Sequence, residues 1–314
     1  MRIVALLVGL LAALILPARA AEIVRVGKPS TNHNFLFSLV DVGVRAGVFA
    51  KHGLTVETAN FNGSPRMMQA MVAGNIDIGI NTGPDLAMIA KGAPFTAVAA
   101  ISGAPDLGLG VRPDGSVQTI DDLKGRKVSA SGTASVTGWL VAELSRQQGW
   151  GSNGIPIVVA TGAATWALLK TQEIDGICTD VGSILLAEQR GAGKLLLRFA
   201  DRVPRFHMYM LFATNDMLAK RPETVRAFVR GWFDTIAYVR GHKAETVRIA
   251  EEVIGLGPDI LGRLYDTQLA LYSDTGAFDP EALKVLSRSY IDMKTLTAEP
   301  DMAALYTEAY LPKR

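Results

Sequence analysis

The chain has 314 residues, 49% of them hydrophobic and 20% charged, with 32 Lys+Arg against 30 Asp+Glu, one cysteine and four histidines. This near-balance, with no basic stripe, argues against a nucleic-acid binder and against a polybasic membrane patch. The lone cysteine, Cys178, excludes disulfides and multi-cysteine metal sites. With so few histidines beside it, no catalytic centre, metal or cofactor is expected.

The N-terminus reads as an export signal. Arg2 precedes an apolar run from Ile3 to Leu16, Pro17 breaks it, and Ala18-Arg19-Ala20 follows as an A-x-A-like cleavage site. The run is shorter than the ~20 residues a membrane span needs. Cleavage after Ala20 would remove Arg2 and Arg19 and no acid, leaving the mature chain formally neutral. A soluble, exported protein is therefore expected.

From Ile23 to Val26 the residues alternate like a strand, and a polar loop, Lys28 to Asn34, leads into a helical stretch ending near Ala50. A second strand at Leu54–Glu57 gives way to Asn60–Ser64, then to a helix that starts at Pro65 and stops at Gly74. Ile76–Ile80 is a third strand, ending at Asn81-Thr82, and one more helix and strand continue to Ala100. Leu107–Val111 makes an apolar crossing. The rhythm then restarts with strands at Lys127–Ala130, Ile155–Val159, Ile174–Thr179 and Leu195–Leu197, and a helix over Ala163–Lys170. His207–Ala213 reads as a strand returning to the first half, and from Pro222 onward the pattern is helical. The segments Ala70–Ile80 and Ala167–Cys178 echo each other, each setting a helix end, a turn and Ile-Asp before a strand. This alternation predicts an α/β fold with mostly parallel sheets flanked by helices.

In open α/β sheets, ligands bind beyond the carboxyl ends of the strands. The loops expected there are Ser30–Asn34, Asn60–Ser64, Asn81–Thr82, Ser131–Ser135 and Thr161–Thr165, each rich in Ser, Thr, Asn or Gly and each preceding a helix. Helix N-termini present unpaired N–H groups and partial positive charge, so such loops can hold an anion without Lys or Arg. The same residue types are also ordinary helix caps. Ser131-Gly132-Thr133-Ala134-Ser135 has more donors than one cap needs, which favours a polar grip.

Four stretches, in order, carry a family resemblance: "AGVFAKHGLTVE" (Ala46–Glu57), "MVAGNIDIGI" (Met71–Ile80), "APFTAVAA" (Ala93–Ala100) and "DDLKGRKVSASGTAS" (Asp121–Ser135). Together with the export signal, they make the chain resemble periplasmic solute-binding proteins of the nitrate, sulfonate and taurine group. That wider group includes binders of thiamine-pyrimidine precursors and a related pyrimidine synthase. The resemblance implies the two-lobed type II periplasmic binding protein fold with two crossing strands as a hinge. Its lobes would be 21–108 with 213–314, and 109–212.

It further implies capture of a small organic anion or amphipathic solute by a monomer for a membrane permease with a cytoplasmic ATPase. A thiamine-pyrimidine-type ligand, a synthase-like enzyme and a sensing module are the alternatives. The implied binding residues are Ser30, Thr31, Asn32, His33, Gly63, Ser64, Asn81, Thr82, Ser131, Gly132, Thr133, Ser135, Gly162 and Asp180. Asp180 departs from the commoner pattern: facing inward it would disfavour a bare anion, and otherwise it caps the following helix. Arg66, Trp139, Trp166 and His207 stay open between cleft and structural roles.

Overall fold

The computed structural model describes residues 21–29, 33–61 and 63–313; the expected signal segment and Ser30, Thr31, Asn32 and Asn62 lie outside them. The chain opens with β1 (Glu22–Lys28), α1 (Phe35–Arg45), α2 (Val48–Lys51), β2 (Leu54–Asn60), α3 (Ser64–Val72), β3 (Ile78–Thr82), α4 (Leu86–Ala90) and β4 (Phe95–Ala100). Helix α1 starts where the Asn34 side chain accepts from Phe37 N–H, and it buries Leu36, Leu39 and Val40. The single helix expected through Ala50 is two, because Gly47 turns left-handed (φ 68°) between them.

The second series is β5 (Leu107–Val111), β6 (Val128–Ala130), α5 (Val136–Gln147), β7 (Ile157–Val159), α6 (Ala163–Lys170), β8 (Gly176–Asp180), α7 (Val181–Gln189) and β9 (Lys194–Arg198). Then come β10 (Tyr209–Thr214), α8 (Asn215–Lys220), α9 (Pro222–Gly241), α10 (Lys243–Ile254), α11 (Pro258–Gln268) and α12 (Pro280–Asp292).

Two five-stranded sheets result, ordered β2-β1-β3-β10-β4 and β7-β6-β8-β5-β9. In each sheet the strand arriving from the other half, β10 or β5, runs antiparallel to both neighbours. The remaining paired strands, β1 with β2 and β3, and β6 with β7 and β8, run parallel, as short β-α-β units require. The repeated Ile-Asp sequence has one structural use in both sheets. The Asp77 carboxylate accepts from Arg25 N–H (2.9 Å), and the Asp175 carboxylate accepts from Lys127 N–H (3.0 Å).

Leu107–Val111 and the strand beginning at Tyr209 are not the links between lobes; each lies whole within one sheet, and the links are the segments before them, 101–106 and 199–208. The expected boundaries at 108/109 and 212/213 therefore fall inside β5 and β10. The helices after β10 serve both halves: α9 and α10 pack on α1, whereas α11 packs on α7. Trp139 of α5 donates through Nε1 to Asp292 at the end of α12 (2.9 Å).

One apolar core runs through both halves, from Val24 and Leu39 through Phe206 and Phe212 to Trp139 and Leu185. A small satellite cluster of Leu169, Ile174 and Ile177 lies under α6. Among the described residues no helix is long and apolar enough to cross a membrane.

Candidate functional site

At the carboxyl edge of the first sheet the charges are largely engaged. The buried Lys28 ammonium, at the end of β1, sits 2.5 Å from Asp41, which also accepts from Thr58 Oγ1 (2.9 Å). The loops after β1 and β2 are tied together by Phe61 N–H to Lys28 O and Gly63 N–H to Pro29 O, both 2.8 Å. Gly63 precedes α3 with φ 101° and, having no side chain, gives the helix no side-chain cap.

Ser64, the first residue of α3, donates through Oγ to Asn81 Oδ1 (2.8 Å). Asn81 is 0% exposed, and its Nδ2 has no partner among the described residues. A buried, unmade amide donor costs roughly 1–3 kcal/mol, which a guest acceptor would relieve. Beside it, Thr82 Oγ1 donates to Asp85 (2.5 Å). Burial raises the Asp85 carboxyl to about 6, against the pull of hydrogen bonds from Thr82 and Ser64.

On the second sheet the hydroxyl-rich loop serves mainly itself. Ser135 caps α5 by accepting from Gly138 N–H (3.2 Å), while its own Oγ donates to Gly132 O (2.6 Å). Ser131 Oγ and Ser135 Oγ each lie 2.9 Å from Thr137 Oγ1. The surplus donors in that loop are therefore spent on knitting it, and Thr133 is left exposed. Gly162 is exposed and begins α6 without a side-chain cap.

Asp180 is a cap: its carboxylate accepts from Ser183 N–H (2.7 Å), Ser183 Oγ (2.9 Å) and Thr179 Oγ1 (3.2 Å).

The two carboxyl edges meet where the loop after β1 reaches the start of α7. A Cβ on Gly182 would stand 2.7 Å from the His33 carbonyl oxygen, and the His33 ring lies 3.0 Å from Ile254 O. Beneath this contact, Asn34 Nδ2 donates to Asp106 (2.9 Å), and the Tyr209 hydroxyl donates to the other Asp106 oxygen (2.8 Å). Burial is the main cause that lifts the Asp106 carboxyl to about 7, with the charge of Asp180 adding to it.

The structure thus brings the His33 carbonyl against Gly182 after Asp180, and joins Ser64 to Asn81. Thr133 instead borders a cavity of about 680 Å³ beside α5, shared with Trp139, Arg146, Asp292 and Lys294. Asp106 was not among the expected site residues, and Asn34 only as loop; nothing local marks "GAPDL" as more than a turn.

Two of the open positions, Trp139 and His207, are buried. Trp139 stacks on Phe206 (centroids 5.2 Å apart) in the core. Trp166 packs on the satellite cluster, and Arg66 is exposed. His207 lies 3.4 Å from Ser102 O and accepts from Asp279 N–H (2.8 Å), and burial lowers its basicity. Cys178 is buried, which pushes its thiol well up and away from reactive thiolate. Among the described residues no cluster of three metal-ligating side chains occurs.

A family model described as NMT1/THI5 like matches residues 32–246. No curated protein matches the chain. Among solved structures, the periplasmic aliphatic sulphonate binding protein SsuA of Escherichia coli is 16% identical at TM-score 0.74, covering 91% of this chain and 92% of its own. The alkanesulfonate-binding SsuA of Xanthomonas axonopodis pv. citri, bound to MOPS, is also 16% identical at TM-score 0.74, with coverage of 92% and 99%. The desulfurization enzyme DSZB is 12% identical at TM-score 0.65, with coverage of 91% and 97%. At these identities the likeness establishes the periplasmic binding protein fold. Binding and catalysis both occur on it.

Proposed function

The chain belongs to the NMT1/THI5-like family, and we propose that it is the solute-capturing component of an importer, exported through residues 1–20. In this reading 21–106 with 207–314 forms one lobe and 107–206 the other, and they close on a small organic molecule with an anionic head for delivery to a membrane permease driven by a cytoplasmic ATPase. The named likenesses to sulfonate-binding proteins support that solute class.

The observation that carries the reading is the buried Nδ2 of Asn81, without a partner among the described residues, beside the start of α3, where Gly63 gives no side-chain cap. A fixed donor and a helix N-terminus suit a sulfonate or carboxylate oxygen. Gly162 would supply a second uncapped start from the other lobe. Capture rather than chemistry is favoured because Cys178 and His207 are both built into the core.

The test is a thermal-shift panel of alkanesulfonates, carboxylates and aminopyrimidines, followed by calorimetry on whichever compound raises the midpoint. Asn81→Ala is expected to weaken that compound's binding by about 10–100-fold, the worth of one hydrogen bond to a charged group. A panel without any shift, or an Asn81→Ala variant that binds as well as the parent, refutes the site.

A further inference from the structure

The cavity of about 680 Å³ beside α5 lies apart from the grip at Asn81. It starts at Thr133, follows α5 past Ala142 to Arg146, and ends at Asn153 and Ile157, at the amino end of β7. Neither Asn81 nor Gly162 lines it. Its opposite wall is the end of α12, Asp292 to Lys294, and the Tyr290 hydroxyl of that helix donates to Gly83 O in the first half (3.1 Å). An occupant would therefore touch both halves of the molecule. The volume falls within the ~300–1,000 Å³ of small-molecule sites.

The lining is part apolar, from Ala142, Ile157 and Met293, and part charged. Its one carboxylate, Asp292, is engaged: Oδ2 accepts from Trp139 Nε1 (2.9 Å) and from Arg146 Nη2 (3.0 Å). Arg146 also pairs with Glu143 (2.8 Å), so its charge is met. Lys294 differs, because its ammonium makes no ion pair among the described residues. Its main chain is held in the left-handed region (φ 56°) by Lys294 N–H to Ile291 O and Thr295 N–H to Tyr290 O, both 2.9 Å. Two cations against one committed carboxylate leave the lining positive, and the side chains of Ser152 and Asn153 add neutral donors.

We propose that this cavity is a second binding site, for a small organic anion with an apolar body. The anionic group faces Lys294, and the body lies against Ala142, Ile157 and Met293. The site goes beyond the capture reading and uses none of the residues of the grip at Asn81.

The probe is para-fluorophenylacetate, an aromatic carboxylate, titrated into the purified protein and followed by fluorine NMR. It is expected to bind saturably below about 1 mM. Lys294→Gly removes the ammonium and eases the left-handed backbone, so the fold is expected to stay intact. That variant should bind the probe about fivefold more weakly, the upper worth of an exposed ion pair. Ala142→Phe fills the cavity from a partly exposed position on α5 and is expected to abolish binding. Melting curves check that each variant is folded, and Lys294→Gly decides alone if Ala142→Phe is not. Asn81→Ala is expected to bind the probe as the parent does. No saturable binding by about 1 mM, or parent-like binding in Lys294→Gly or in folded Ala142→Phe, overturns the proposal. So does loss of the probe in Asn81→Ala, which would put it in the grip instead. Failure of the capture reading shows separately, in the thermal-shift panel, and leaves this outcome untouched.

Discussion

Gly182 can carry no side chain without disturbing the meeting of the lobes, because a Cβ there would sit 2.7 Å from His33 O and press on Leu256 and Leu264. Gly182→Ala is expected to preserve the fold of each lobe and to weaken solute binding at least about tenfold, since the new methyl must be accommodated only on closure. Calorimetry beside a melting curve separates the two effects. Gly83 is stricter: a Cβ would lie 1.9 Å from the His207 carbonyl oxygen, on backbone that cannot swing aside. Gly83→Ala is expected to lower stability by about 1–3 kcal/mol in chemical denaturation.

Lys28 and Asp41 form a pair with the ammonium buried, so Lys28→Met should cost about 3 kcal/mol or more by stranding the carboxylate. The Asp85 carboxyl, held at about 6 when folded, acts in the opposite sense to an ordinary surface acid. Its contribution to stability is present below ~4 and is lost as pH rises through about 6. Asp85→Asn should flatten that part of the stability-versus-pH curve, as melting midpoints at pH 4 and 7 would record.

At the scale of elements, the two Ile-Asp turns explain a repeat visible in the sequence. Asp77 and Asp175 each catch the N–H one residue before the first β1–β3 or β6–β8 pair, so each half begins that parallel ladder with the same side-chain contact. Strands and helices were legible because apolar spacing, Pro65, Gly74 and Pro222 mark their periods and ends. Helix caps were legible too: Asp180 at α7 and Ser135 at α5 act as such residues do anywhere. Asp180→Ala should cost about 1 kcal/mol in denaturant, the usual worth of a cap.

The site was less legible. Whether a serine grips a guest or its neighbour depends on geometry that spacing does not encode; Ser131 and Ser135 hold Thr137, while Asn81 keeps a spare donor. Asp106 gains its character from Asn34, Tyr209 and Asp180, which lie far from it in the chain, and no local pattern announces such a meeting.

For the whole molecule, the order of strands sets which half can stand alone. All five strands of the second sheet lie within 107–198, whereas the first sheet waits for β10, a fully buried strand made only after the second half. A fragment spanning 101–208 is thus expected to melt cooperatively, and a fragment ending at 106 is expected to lack a native-like transition; circular dichroism on the two would decide.

Cys178 remains, a lone thiol sealed in β8 beneath its neighbours. Its seclusion leaves the outside of the described protein chemically blank to maleimides. A cysteine introduced at an exposed position such as Val72 or Val159 would then take a dye by itself. The native chain could be converted into an optical reporter of its own solute with no background to remove.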